Sequence, residues 1–234
     1  AVPGGSVYNA MISLGRMGVD VTFFSETGND RVGRIILENM RNNGVRTDCV
    51  NVFPDGKSPV SLAFLNERND AEYLFYKDYP HQRLEGKMPD IQPDDIVMIG
   101  SYFAVTPVLR DKVKGLLELA RERGAIIYYD VNFRSTHANE AIKLMPTLLE
   151  NFEYTDILRG STEDFSNMFG SLMRGKYIPN GCVFTASISS VRVPIRMSAC
   201  LQAMYARAIR YLLSRQSVPS ERETISMPEW YMAC

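Results

Sequence analysis

The chain has 234 residues, of which 45% are hydrophobic and 23% charged, so it is long enough to bury a core and too mixed to be disordered. Its net charge of -1 gives no electrostatic argument for binding nucleic acid or anionic lipid. No apolar run of about 18 residues and no N-terminal signal pattern occurs, so we expect a cytoplasmic protein without a membrane partner. The four cysteines lack Cys-x-x-Cys spacing, which disfavours structural zinc and a disulfide framework.

The charge is unevenly distributed along the chain. Residues 1–170 contain 18 Lys and Arg against 24 Asp and Glu, a charge of -6, whereas residues 171–234 contain 8 against 3, a charge of +5. The second segment has no Asp, seven Arg against one Lys, and three of the four Cys. We therefore expect an atypical tail over 171–234, and favour a shifted reading frame or a mispredicted or truncated gene over a divergent extension.

Helical and strand-like patterns alternate in the first third of the chain. Helices are predicted over 6–17, ending at Gly18, and from Asp30 to Asn43-Gly44. β-branched and aromatic residues predict strands over 19–24, 45–53, 60–65 and 71–76. Because the last three strands follow one another without a helix between them, we expect them to pair as an antiparallel unit apart from the main sheet.

The alternation continues to about residue 170. Strands are predicted over 95–100, 125–130 and 155–158, and helices over 107–123, 139–151 and 161–169. Helices alternating with strands imply a mostly parallel sheet covered on both faces. Such sheets bind ligands beyond the carboxyl ends of their strands.

Two polar clusters lie near the N-terminus. Gly4 and Gly5 let the backbone approach a ligand closely, and Asn9 can donate and accept hydrogen bonds, although a glycine pair before a helix most often forms only a turn. Residues 28–33 lack the Gly-x-Gly-x-x-Gly pattern of a dinucleotide site, and we interpret them as a helix cap.

Two further clusters follow predicted strands. Alternation places Asp130, Asn132 and Arg134 on one side, which combines an acceptor, an amide and a five-donor guanidinium and favours a ligand site over a surface salt bridge. Ser161 and Asp164 have the spacing of a capping box, and the helix they open could also hold a phosphate. From these residues alone both roles remain open.

Together these motifs resemble those of the ribokinase-like (PfkB) carbohydrate kinases. The N-terminal signature is matched by residues 4–9, 14–21, 27–33 and 43–45, and the family's β-lid by about 47–83. Asp130-Val131-Asn132-Phe133-Arg134 resembles the Asp-x-Asn-x-Arg motif of the fructokinase and 2-keto-3-deoxygluconate kinase branch, and residues 159–164 resemble Lys-x-Asn-x-x-Glu. The resemblance covers 1–170 and implies a three-layer α/β/α fold with a mostly parallel sheet and a small antiparallel β-lid.

The resemblance also implies two groups of site residues. Those expected to contact a sugar are Gly4, Gly5, Asn9, Tyr76, Lys77, Asn132 and Arg134. Those expected near the nucleotide phosphates are Ser161 and Asp164, with Asp164 also reaching Mg²⁺ through water. Arg134 would face the transferring phosphoryl group in a supporting role. The implied cofactors are ATP and Mg²⁺.

One family motif has no counterpart in this sequence. In the family, the Asp of a Gly-Ala-Gly-Asp motif removes a proton from the sugar hydroxyl, and its glycine amides hold the developing charge. No Gly-x-Gly-Asp occurs here, and since the chain begins at the glycine pair we expect the family's first strand to be lacking as well. The resemblance therefore implies ATP-dependent phosphorylation of a fructose-like sugar or ketodeoxy sugar acid, with this chain inactive or impaired.

Two other functions are considered. A non-catalytic sugar-binding or dimerising pseudokinase module would keep the glycine pair, the lid and the Asp-x-Asn-x-Arg site without the base, and exposed lid strands are compatible with a homodimer. A nicotinamide-dependent dehydrogenase is disfavoured because the glycine fingerprint of such enzymes is missing.

Overall fold

The computed structural model describes residues 2–65, 71–169 and 183–185. The expected atypical tail lies outside these residues, except for a short strand at Val183–Thr185. Within the described ranges, no helix is both long enough and apolar enough to cross a bilayer.

The N-terminal part consists of two helices and four short strands. In chain order they are α1 (Ser6–Arg16), β1 (Val21–Thr22), β2 (Ser25–Gly28), α2 (Arg31–Asn42), β3 (Val45–Arg46) and β4 (Val50–Phe53). Gly18 has a φ of 81°, which confirms the predicted left-handed residue after α1. The helix predictions are confirmed to within a residue or two at each end.

The pairing predicted for residues 45–53 is wrong. These residues do not join an antiparallel unit: β3 pairs in parallel with β1, and β4 pairs in parallel with β2. The reason is that α2 separates β1 and β2 from β3 and β4 in the sequence. A strand that follows such a helical connection runs parallel to the strand it pairs with.

The predicted lid strands do form a separate antiparallel pair. They are β5 (Lys57–Leu65) and β6 (Ala71–Asp78), with Val60 opposite Tyr76 and Leu62 opposite Leu74. The register shifts between Lys57 and Val60. The pair therefore begins directly after β4 and returns to the body of the protein at Asp78.

The larger sheet follows the lid. Its elements are β7 (Ile96–Gly100), α3 (Arg110–Arg123), β8 (Ile126–Asp130), α4 (Ala141–Tyr154), β9 (Ile157–Arg159), α5 (Thr162–Phe169) and β10 (Val183–Thr185). The strand order is β10-β9-β8-β7, in which β7, β8 and β9 are parallel and β10 is antiparallel. The carboxyl ends of β7, β8 and β9 therefore meet at one edge.

The main hydrophobic core lies between this sheet and its helices. Leu117 of α3, Tyr129 of β8 and Leu148 of α4 are fully buried. A second, smaller core around Tyr8, Ile12 and Met40 packs α1 and α2 against the short strands. Burial of these large side chains fixes the sheet, and with it the positions of the loops at the strand ends.

Asp30 caps α2 and also holds the first lid strand. Its Oδ1 accepts hydrogen bonds from the Gly33 amide and the Ser58 hydroxyl, each at 2.8 Å, and its Oδ2 accepts one from the Ser58 amide at 2.8 Å. Partial burial raises the pKa of this carboxyl, but the hydrogen bonds outweigh that effect and bring the pKa below the ordinary 3.8. The predicted helix cap is confirmed, and Asp30 also binds Ser58 near the start of the first lid strand.

We expect Asp30→Ala to lower the free energy of unfolding at pH 7 by about 1 to 2 kcal/mol, because a cap and the contact with Ser58 are both lost. Since folding lowers the Asp30 pKa, the ionised carboxyl stabilises the fold above the ordinary value of 3.8, and this contribution disappears as the pH falls through the folded value. In urea unfolding, the difference between wild type and variant should therefore shrink with falling pH. The exposed turn residue Asp55 provides a control as Asp55→Ala, and an Asp30 effect no larger than its own would contradict the prediction.

Candidate functional site

A cleft of about 310 Å³ opens at the carboxyl ends of β8 and β9. It is lined by Asp130, Asn132, Phe133, Arg134, Arg159, Gly160, Ser161, Glu163 and Asp164. The two polar clusters that the sequence placed after separate strands thus lie in one site, because β8 and β9 are neighbours in the sheet.

Asp130 and Arg159 form an ion pair at the bottom of this cleft. The two residues are directly opposite each other in the β8–β9 register, and Arg159 Nη1 donates to both carboxylate oxygens of Asp130, at 3.0 and 2.9 Å. The Asp130 side chain is 10% exposed, whereas that of Arg159 is 56% exposed. The cleft therefore has a buried carboxylate at its base and a guanidinium that ligands can reach.

Asn132 connects the cleft to the start of α1. Its Nδ2 donates to the Ser101 hydroxyl at 3.1 Å, and the hydroxyls of Ser101 and Ser6 are 2.6 Å apart. Ser6 follows directly after the predicted glycine pair, of which Gly5 has a φ of 131°. This chain of hydrogen bonds brings the N-terminal cluster beside the Asp-x-Asn-x-Arg segment.

The remaining members of the N-terminal cluster are open to solvent. Gly4 and Gly5 are exposed, and an added Cβ at Gly4 would meet nothing within 4 Å. The Asn9 side chain is exposed, while its backbone amide donates to the Gly5 carbonyl at 2.8 Å. Their expected contact with a sugar stays a prediction.

The sequence predicted that strand alternation places Asp130, Asn132 and Arg134 on one side, and this reason is wrong. Strand β8 ends at Asp130, Asn132 has a φ of 39°, and Arg134 is an exposed residue just before a 3₁₀ turn. The pleat therefore does not continue beyond Asp130. The three residues line the same cleft because the loop after β8 turns them towards it.

Ser161 and Asp164 form the predicted capping box. The amide and hydroxyl of Ser161 both donate to Asp164 Oδ2 at 2.7 Å, and the Asp164 amide donates back to the Ser161 hydroxyl at 3.1 Å. One carboxylate oxygen of Asp164 thus serves the helix. In the described part of the chain, no group of three or more metal-ligating side chains gathers, and the proposed contact of Asp164 with Mg²⁺ stays a prediction.

The lid reaches the same edge of the sheet through Lys77. Its ammonium lies 5.6 Å from the centre of the Tyr102 ring, beyond β7, and 5.1 Å from that of Phe75. Such distances allow a cation–π contact. Lys77 therefore contacts the body of the protein, while the neighbouring Tyr76 is 56% exposed.

Tyr102 belongs to a small aromatic cluster beside the cleft. Its ring stacks on His137 at 4.0 Å between centroids, and its hydroxyl donates to Glu140 at 2.9 Å. Burial lowers the pKa of His137; Glu140 opposes this effect and Lys77 adds to it. The cluster supports the loop after β8 and gives Lys77 its aromatic partner.

Sequence reasoning missed Ser101, Tyr102, His137 and the pairing of Arg159 with Asp130. A signal was available for Ser101 and Tyr102, since both directly follow a predicted strand at the edge where ligands bind. The contacts of His137 and Arg159 depend on which loops and strands are neighbours, which a single sequence does not specify.

The sequence model of the pfkB family carbohydrate kinases matches residues 1–176. The chain belongs to this family. A probable fructokinase-4 of Arabidopsis thaliana is 25% identical over 175 residues, which cover 72% of this chain and 53% of the relative. A 5-dehydro-2-deoxygluconokinase of Geobacillus thermodenitrificans is 29% identical over 175 residues, which cover 70% of this chain and 50% of the relative. The chain spans about half the length of the curated relatives it matches.

Solved structures of PfkB-type kinases share the fold. The fructokinase of Vibrio cholerae superimposes with a TM-score of 0.61 at 20% identity, covering 73% of this chain and 60% of that one. The 2-dehydro-3-deoxygluconokinase of Thermotoga maritima superimposes with a TM-score of 0.54 at 22% identity, covering 71% of this chain and 53% of that one. The predicted ribokinase-like fold and the fructokinase and ketodeoxygluconate kinase branch are confirmed.

Proposed function

We propose that the chain is part of an ATP-dependent kinase for a hydroxyl of a fructose-like sugar or a ketodeoxy sugar acid. The observation that carries the proposal is the convergence of the Asp-x-Asn-x-Arg segment, the 159–164 segment and the lid at one edge of the sheet. Among the structural neighbours, the Vibrio cholerae fructokinase has been solved with fructose, ADP and calcium, and the Xylella fastidiosa fructokinase with ATP.

On the sugar side, Asn132 lines the cleft, and its hydrogen bonds through Ser101 to Ser6 lead to the exposed backbone at Gly4 and Gly5. The Asn132 amide uses one N–H on Ser101, which leaves its second N–H and its carbonyl oxygen for sugar hydroxyls. The glycine backbone has no Cβ to obstruct a ligand. From the lid, Lys77 reaches the Tyr102 ring at this edge of the sheet.

The phosphate side of the cleft has two arginines. Arg134 and the half-exposed Arg159 present guanidinium groups suited to phosphate oxygens, and α5 begins at the same place. ATP supplies the phosphoryl group when bound, with a metal ion such as Mg²⁺ balancing its charge. Glu163 and Asp164 at the cleft edge fit a Mg²⁺ held mainly by phosphates and water, as is usual for this ion.

A kinase also needs a group that removes the proton of the attacking hydroxyl. The sequence contains no Gly-x-Gly-Asp, and we propose that these 234 residues transfer phosphoryl groups poorly or not at all. The general base and the amides that stabilise the developing charge contribute roughly 10² or more each to rate. This absence favours a second function for the chain, a sugar-binding module without turnover.

Isothermal titration with D-fructose and with 2-keto-3-deoxygluconate tests the site. Wild type should bind at least one of them, and Asn132→Ala should weaken binding about tenfold, because a polar contact worth roughly 1.4 kcal/mol is lost. Asn42→Ala, at an exposed position on α2, serves as the matched control. A wild-type chain that binds neither sugar, or an Asn132 variant that binds like the control, would refute the proposed site.

We also propose that the lid forms a homodimer contact. Val60, Leu62, Leu74 and Tyr76 are 39–56% exposed, and the strand register places all four on one face of the β5–β6 pair. An exposed apolar face next to free strand edges favours association with a second copy. Sedimentation equilibrium should give a dimer that Leu62→Lys converts to a monomer, and a monomeric wild type would rule the contact out.

A further inference from the structure

Ser101, the residue directly after β7, has a backbone conformation that serine rarely adopts. Its φ is 56° and its ψ is -166°, close to a region that in practice only glycine occupies. In the described ranges, four non-glycine residues have positive φ. Two of them, Ser101 and Asn132, follow the neighbouring parallel strands β7 and β8 and are hydrogen-bonded to each other. Backbone strain of this kind persists only where surrounding contacts enforce it.

Three contacts connect Ser101 to the cleft and to the start of α1. The Ser101 hydroxyl lies 2.6 Å from that of Ser6 and accepts from Asn132 Nδ2 at 3.1 Å, while its amide donates to the Asp130 carbonyl at 3.2 Å. Glycine at this position would relieve the strain but would provide no hydroxyl. The strained serine thus supplies something that an unstrained glycine cannot.

We propose that Ser101 is a positioning residue for the sugar: its hydroxyl holds the Asn132 carboxamide and the start of α1 in the orientation that meets the sugar hydroxyls. This inference rests on the proposed function and adds a residue to it. Because Ser101 fixes one N–H of Asn132, it determines the direction of the second N–H and of the carbonyl oxygen. It acts through Asn132 and Ser6.

Two substitutions separate positioning from structural support. Ser101→Gly removes the hydroxyl and the strain together, so we expect its Tm to lie about 2 to 4 °C above that of Ser101→Ala, while sugar affinity falls about tenfold relative to wild type. Ser101→Ala removes the hydroxyl but keeps the strain, so affinity should fall equally without a gain in Tm. Asp94→Gly is the matched control, since Asp94 is an exposed positive-φ residue in a turn remote in sequence from the cleft residues; affinity should stay unchanged.

The experiment combines thermal unfolding with calorimetric sugar titration of wild type and the three variants. A Tm for Ser101→Gly no higher than that of Ser101→Ala would overturn the inference, because residue 101 would then not be a strained position held for its hydroxyl. Sugar affinity equal to wild type in both Ser101 variants would overturn it alone and leave the proposed function intact. A wild type that binds no sugar would overturn the proposed function and this inference together.

Discussion

Glu26→Ala should lower the free energy of unfolding by about 3 to 5 kcal/mol. The Glu26 side chain is 4% exposed and that of its partner Arg83 is 13% exposed. Arg83 Nε donates to Glu26 Oε1 at 2.5 Å, and the Leu84 amide donates to Oε2 at 2.8 Å. Without the carboxylate, a largely buried guanidinium loses its counter-ion and a backbone amide loses its acceptor, and both losses are costly.

Glu85→Ala is the matched control for this prediction. Glu85 pairs with Lys112 at 3.2 Å, but their side chains are 52% and 40% exposed, so the loss should stay within about 0.5 kcal/mol. Urea unfolding at pH 7 measures both variants. Equal losses for Glu26→Ala and Glu85→Ala would contradict the assignment of Glu26 as a buried anchor.

The contact of Glu26 with Arg83 and Leu84 also anchors the base of the lid. Glu26 holds residues that follow β6, and Asp30, which follows β2 by two residues, holds Ser58 at the start of β5. Both ends of the lid are therefore tied to the region of β2. This arrangement fixes the base of the lid while leaving the strands themselves largely exposed.

Gly100→Ala should destabilise the fold by about 3 kcal/mol and also abolish detectable sugar binding. A Cβ at Gly100, the last residue of β7, would lie 2.4 Å from the Asp130 carbonyl oxygen and 3.1 Å from Val7 Cγ2. The backbone at the end of β7 or β8 would have to move. Since Ser101 follows directly, the movement would disturb the hydrogen bonds to Ser6 and Asn132.

Gly115→Ala gives the opposite expectation and serves as the control. Gly115 lies inside α3, and the nearest atom to an added Cβ is Met88 Cε at 3.7 Å. Replacing an unhindered helical glycine by alanine should stabilise the protein by roughly 0.5 to 1 kcal/mol. Denaturant unfolding and sugar titration of the two variants test the pair, and a Gly100→Ala protein as stable as wild type would contradict the close approach at this strand end.

Local chemistry explains which elements were predictable. The ends of α2 and α3 follow from Asp30 and from Gly124, whose φ is 79°, because a cap is determined by a few adjacent residues. The partners of residues 45–53 were not predictable in the same way. Apolar periodicity along a strand specifies which face is buried but not which strand lies beside it.

The same limit applies to the site. The sequence grouped Asn132 with Arg134 and Ser161 with Asp164, and the order of the strands brings these two groups into one cleft. Ser101 was not identified because its role depends on its backbone conformation and on contacts with two other segments. The predictions for residues 171–234 concern a segment of which the structure describes only Val183–Thr185.

We propose that this chain binds a sugar at the cleft but lacks the group that removes the proton of the attacking hydroxyl. A coupled phosphorylation assay with fructose or 2-keto-3-deoxygluconate, ATP and Mg²⁺, run on protein whose sugar binding has been verified by calorimetry, tests it most directly. We expect saturable sugar binding with no turnover above background. Turnover at the roughly 1 to 100 s⁻¹ typical of kinases would contradict it.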